Sequence, residues 1–253
     1  MSFEVKYLTK PNIKNSIFVE GLPGIGNVGK IAADFLVENL KAKKIIEIYS
    51  HYFPHSVFVN ENNLINPPTV EIWHKKTNKN DFLFLIGDIQ PIDEASCYKF
   101  CEVILDILEK HKCDHIITLG GIGLQKIPKK PKVYITGNNK KLVSSFKGCS
   151  KEIYGVVGPI MGVTGVLLGL AAKRNIPAVS LLTQTFGHPA YLGIKGSKET
   201  LAVLDKKYKF KLNLKSLSEE IAELEQEIKV KTQQLAETTA KDDKNNNDIN
   251  YFG

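Results

Sequence analysis

The stretch Gly21-Leu22-Pro23-Gly24-Ile25-Gly26-Asn27-Val28-Gly29 decides the fold. A short apolar run, 16–20 (SIFVE), precedes it. Residues 27–40 follow, where Val28, Ile31, Ala32, Phe35, Leu36 and Leu40 recur at helical spacing. Strand, glycine turn and helix in that order open an α/β unit. Gly24, Gly26 and Gly29 also fit G-x-G-x-x-G, and Glu47 falls about 20 residues further on in the next strand-like run. That is the context of a dinucleotide site, with a pyrophosphate on the helix N-terminus. A glycine turn that only packs closely fits the same residues, and Pro23 stands against the nucleotide reading.

The alternation continues outward from this turn. Strands are expected at 44–49, 69–74, 82–86, 115–119, 133–136 and 178–182, and helices at 95–111, 142–146, 163–173 and 197–208. The run 82–86 (FLFLI) is continuously apolar, as in a strand buried on both faces. The pattern predicts an α/β domain over 1–212, with a mostly parallel central sheet between helices. The helix at 163–173 (VTGVLLGLAAK) is apolar around most of its girth and must be buried, in the core or at a subunit interface. Gly120-Gly121-Ile122-Gly123 and 155–165 read as further glycine turns after strands.

From 213 on the composition changes. Leu214, Leu217, Ile221, Leu224, Ile228 and Leu235 are spaced as a heptad seam, with Lys231 at the one position that should be apolar. A single helix with such a stripe exposes too much apolar surface. A coiled-coil helix over 213–239 is expected to pair, with copies of itself or back onto the domain; self-association is the preferred reading, with Leu217, Ile221, Leu224 and Ile228 as oligomerisation residues. Residues 240–253 are a polar tether ending in Asn250, Tyr251, Phe252 and Gly253. An aromatic tip at the end of a polar tether suits docking on a partner, and an ordinary disordered end fits the same composition equally well.

Composition excludes several classes. The 253 residues are 43% hydrophobic and 24% charged, the balance of a globular chain. No apolar run reaches the roughly 18 residues of a membrane span, and residues 1–10 lack the apolar core of a secretory leader. The net charge is +7, yet Arg174 is the single arginine among 34 basic residues. Bidentate phosphate and base readout favours arginine, so neither nucleic acid nor membrane is an expected partner. Cys97, Cys101, Cys113 and Cys149 form no C-x-x-C pair and read as reduced thiols, which places the chain in the cytoplasm.

Catalytic signals are thin. Asp88, Asp93 and Glu94 cluster in GDIQPIDEA, and helix capping by Asp93 and Glu94 explains them better than acid–base or metal chemistry. His188, in FGHPAYLG, has no nucleophile in a recognisable setting and reads as a structural hydrogen-bonder. No metal and no cofactor is expected. The loop 126–132 (KIPKKPK) is an exposed basic segment.

Taken together, GLPGIGNVGKIAADFL (21–36), GDIQP (87–91), LGGIG (119–123), GPIMGVTGVLLGLA (158–171) and TQTFGHPAYLG (183–193) resemble the proteasome assembly chaperone family, in its standalone archaeal form. The resemblance covers about 5–210 and implies a three-layer α/β/α sandwich similar to purine nucleoside phosphorylases. There the glycine turn is a mark of the fold rather than a nucleotide site. It further implies a homo-oligomeric, non-enzymatic chaperone or adaptor whose partners are proteasome α-subunits or the core particle. Some members dock through a C-terminal hydrophobic–Tyr–any motif. Here Phe252 is penultimate and Tyr251 precedes it, a variant of that anchor. The alternative is a nucleoside phosphorylase-like or nucleotide-binding enzyme using Gly24, Gly26 and Gly29.

Overall fold

Two apolar runs become the middle of a sheet. In the computed structural model, which describes residues 3–91, 93–155, 158–215, 218 and 219, β2 (Ser16–Gly21) is buried along its whole length, and so is all of β7 (Asp81–Gly87) but Ile86. The elements in chain order are β1 (Glu4–Tyr7), β2, a 3-10 turn (Ile25–Asn27), α1 (Val28–Asn39), β3 (Lys43–Tyr49), β4 (Phe58–Val59), β5 (Ile65–Asn66), β6 (Val70–Lys76) and β7. Then come α2 (Glu94–Lys110), β8 (Cys113–Leu124), β9 (Val133–Gly137), α3 (Lys140–Ser145), α4 (Gly162–Lys173), β10 (Ala178–Phe186) and α5 (Ile194–Tyr208).

Among the described residues, one eight-stranded sheet has the order β1-β3-β6-β7-β2-β8-β10-β9. The four central strands, β7, β2, β8 and β10, are parallel. The flanking pairs, β1–β3, β3–β6, β6–β7 and β10–β9, are antiparallel. Helices α1 and α5 pack together against β2, β8 and β10, and α2 and α4 pack together as a second layer. Their shared core holds Phe18, Leu83 and Leu85 of the sheet against Phe100, Ile104, Val163 and Leu167 of the helices. This is the expected three-layer α/β/α sandwich.

Local chemistry explains the boundaries. Asp93 caps α2, its carboxylate accepting from the Ser96 N–H at 2.9 Å. Cys97 and Cys101 lie on the buried face of that helix, as small apolar residues would. Helix α4 is buried through Val163, Leu167, Leu170 and Ala171, while Gly169 and Ala172 are exposed, so it is covered on one side rather than all round. Three features differ from the sequence expectation. Strand β1 and the β4–β5 hairpin were not read from the sequence. Gly120-Gly121-Ile122-Gly123 is no turn: β8 runs through it to Leu124, held in register by β10 from Leu182↔Gly120 to Phe186↔Leu124. Strand pairing outweighs the conformational freedom of glycine there.

The compact unit ends at Leu212, and a second begins at Asn213, of which residues 213–215, 218 and 219 are described, Leu214, Lys215, Ser218 and Glu219 as helix. The seam residues Leu217, Ile221, Leu224 and Ile228 and the tail residues Asn250, Tyr251, Phe252 and Gly253 lie outside the described residues.

The single arginine works within the fold. Arg174, at the end of α4, makes ion pairs with Glu102, with Asp106 at 2.7 Å and with Glu109 at 3.4 Å, all along one face of α2. Arg174→Leu should lower Tm by about 2–4 °C for the roughly 1 kcal/mol that such a network contributes. The deficit should shrink near 1 M salt, where the Debye length falls to about 3 Å; thermal melts at two salt concentrations read both effects.

Candidate functional site

The glycine turn sits where β2 ends and α1 begins. Gly26 (φ 61°) and Asn27 (φ 51°) are both left-handed, which turns the chain into α1, and the Gly26 carbonyl accepts from the Gly193 N–H at 2.7 Å. A Cβ on Gly29 would lie 2.3 Å from the Leu119 carbonyl oxygen, and one on Gly21 would lie 2.4 Å from the Gly29 carbonyl. One on Gly121 would lie 2.1 Å from the Ile25 carbonyl. The third motif glycine thus serves close helix-to-strand packing, and beside the second, Gly26, where a pyrophosphate would approach, the Thr185 hydroxyl oxygen lies 2.7 Å from a would-be Cβ. Glu47 fails as a ribose partner for a topological reason. Strand β3 is separated from β2 by β6 and β7, and Glu47 pairs with Lys44 at 2.8 Å and Lys6 at 3.6 Å. Of the three motif glycines, Gly24 alone has open space around a would-be Cβ.

That open space belongs to a cleft of about 440 Å³ at the carboxyl ends of the central strands. Leu22, Pro23 and Ile25 form one wall, Ile160 and Met161 the other, and Gly120, Leu182 and Thr164 the floor. The Gln90 side chain holds the walls together. Its amide donates to the Pro23 carbonyl at 2.8 Å, and its oxygen accepts from the Val163 N–H at 3.3 Å.

Below the floor lies Glu20, fully buried on β2. Its carboxylate accepts from the Leu22 N–H at 2.9 Å and from the Thr164 hydroxyl at 3.2 Å. Burial pushes this carboxyl up from 4.5 to about 7, against the pull of the Leu22, Thr164 and Leu119 hydrogen bonds. Glu20, Gln90 and Thr164 were all missed in the sequence reading. The available signal was a glutamate in the otherwise apolar run 16–20, directly before the glycine turn.

The other candidates separate. Asp88 pairs with Lys30 at 2.8 Å, as Asp34 does at 2.9 Å, while Asp93 is the α2 cap, so the carboxylates of GDIQPIDEA do not converge. His188 is exposed, its Nδ1 accepting from the Ala190 N–H at 3.2 Å, with Phe186 stacked on the ring. It is the structural hydrogen-bonder expected.

Two predictions test this site. Gly29→Ala should lose about 3 kcal/mol or fail to fold, since its methyl meets backbone, whereas Gly24→Ala should stay within about 0.5 kcal/mol of the parent; denaturant melts compare them. The folded Glu20 carboxyl holds its proton more tightly than the unfolded one. Its ionisation therefore drains stability as pH rises from 4.5 to about 7, and the loss is level above that. Glu20→Gln removes that cost, so its unfolding free energy, read from denaturant melts, should gain on the parent's between about pH 5 and pH 8, by roughly 3 kcal/mol at most.

Known proteins share this architecture. A protein of Methanocaldococcus jannaschii called uncharacterized protein MJ1210 is 28% identical over 262 aligned residues, covering 100% of both chains. The crystal structure of Pyrococcus furiosus PbaB, described as an archaeal proteasome activator, superposes with a TM-score of 0.83 at 30% identity, over 92% of this chain and 99% of that one. Pyrococcus furiosus PbaA, described as an archaeal homolog of proteasome-assembly chaperone, does so with a TM-score of 0.75 at 25% identity, over 95% and 97%. The sequence model of the PAC2 family matches residues 18–231, from within β2 to beyond α5. The resemblance carried by the five sequence motifs is thus borne out by family and fold alike, and the chain belongs to the PAC2 family.

Proposed function

We propose that this protein is a homo-oligomeric, proteasome-binding chaperone or activator that docks on the α-ring of the core particle, partly through its C-terminal tail. The observation that carries the reading is the likeness to the proteasome activator PbaB along nearly the full length of both chains. Likeness to the assembly-chaperone homolog PbaA supports the same class of role.

Three features of this chain support the finer reading. The heptad positions Leu217, Ile221, Leu224 and Ile228 need a partner to cover them, and copies of the same helix supply one. The β4–β5 hairpin carries Val57, Phe58, Val59, Leu64 and Ile65 in exposed positions, an apolar patch that suits a protein contact. The tail ends in Tyr251, Phe252 and Gly253, with Phe252 penultimate. A phenyl ring fills an apolar pocket but lacks the hydroxyl of a tyrosine. A single tail therefore binds weakly, and an oligomer multiplies it through effective concentration.

A pull-down of the full chain with proteasome α-subunits, beside a variant lacking residues 249–253, tests the docking. The truncated chain should retain its oligomeric state and lose at least about tenfold in binding, which is 1.4 kcal/mol. Unchanged binding would contradict docking through the tail.

A further inference from the structure

The cleft above Glu20 has the build of a ligand site. It lies outside the carboxyl ends of parallel strands, at a point where the chain changes direction across the sheet. From β2 the chain moves outward to β3, β6 and β7; from β8 it moves the other way, to β9 and β10. Crevices at such points are where open α/β sheets hold ligands. Strand β2 stops at Gly21 and pairs with β8 only as far as Glu20↔Thr118, while β8 continues to Leu124. Beyond Leu119 the β2-side edge of β8 therefore faces the cleft with no strand beside it. A volume of about 440 Å³ falls within the usual range of small-molecule pockets.

The lining sets the chemistry. Among the described residues, no charged side chain lines the cleft. Its walls are aliphatic, and Ile25 and Met161 remain exposed at its mouth. The polar end is the floor. The Thr164 hydroxyl gives its hydrogen to Glu20, so its oxygen can only accept from anything placed above it. One step further down the strands, Glu20, Thr118 and Ser180 stand side by side on β2, β8 and β10. The Thr118 and Ser180 side chains are fully buried, and among the described residues neither hydroxyl has a hydrogen-bond partner. Unmet buried hydroxyls are costly unless something polar comes within reach, and such groups gather at functional sites. An anion is disfavoured here, because the nearest ionisable group beneath the floor is a carboxyl.

We propose that this cleft binds an uncharged small molecule with a flat apolar body and an N–H donor at one end. The body lies between the Leu22–Ile25 and Ile160–Met161 walls. The donor is received by Thr164, which Glu20 orients. This assigns a ligand site, not a catalytic one, and it stands or falls independently of proteasome docking.

Three probes of like size test it on the full chain by ligand-observed NMR titration: benzamide, acetophenone, which has a methyl group in place of the N–H donors, and benzoate, which is charged. Benzamide should bind at least tenfold more tightly than the other two. Thr164→Val should remove that preference, and Thr164→Ser should restore it. Met161→Ala, at a residue 81% exposed and so harmless to the fold, should weaken benzamide severalfold. No benzamide binding, equal binding of the three probes, or binding indifferent to both the Thr164 and Met161 changes would overturn the proposal.

Discussion

The axis of α1 can lie close to the sheet only because residue 29 has no side chain. The Leu119 carbonyl occupies the place a Cβ would take, and Gly21 and Gly121 permit the same closeness on either side. Helix α1, the turn before it and the carboxyl ends of β2 and β8 are thereby locked into one backbone-to-backbone contact. The cost is the flexibility that three glycines lend the unfolded chain. The return is a rigid platform at the strand ends, on which the cleft walls and the 187–193 loop are set. A sequence pattern that elsewhere cradles phosphate here fastens a helix to a sheet.

The same close packing explains the polarity beneath it. With helix layers tight on both faces, Glu20, Thr118 and Ser180 are sealed within the sandwich, where charge is expensive. Glu20 meets that cost by holding its proton up to about 7 and by three hydrogen bonds. A fully apolar residue would pack there at less cost, so a glutamate at this point of β2 makes sense as the support for Thr164 and the cleft above it. At the opposite edge the polar groups close on themselves: His115 Nε2 lies 2.7 Å from the Tyr208 hydroxyl, and Phe82, Phe146 and Phe210 surround the Tyr208 ring. That edge is a seam, and the carboxyl edge is the open one.

Much of this was legible in the sequence, for identifiable reasons. A short continuous apolar run of five residues such as 82–86, rich in phenylalanine, suits a strand covered on both faces. Asp93 ahead of an apolar helical stripe has one common role, a cap. What escaped had competing signals. Strand β1, Glu4–Tyr7, alternates charge with apolarity over four residues at a sheet edge, too short to stand out. Gly120–Gly123 carried a turn signal that pairing with β10 overrode. The cleft was invisible because its parts, Glu20, Gln90 and Thr164, come from three distant segments and converge only after folding. The basic balance was legible in part: 33 of 34 basic residues are lysine, and the one arginine ties α4 to α2 rather than reading a partner.

An oligomer that presents several weak aromatic tails to a ring is the reading that joins the PAC2 sandwich, the heptad seam and the tail in one account. Native mass measurement of the full chain, alone and mixed with an archaeal proteasome core particle, tests it most directly. The account predicts a defined homo-oligomer alone, and a new species with that oligomer's mass added to the core particle in the mixture. A monomer that leaves the mass of the core particle unchanged would contradict it.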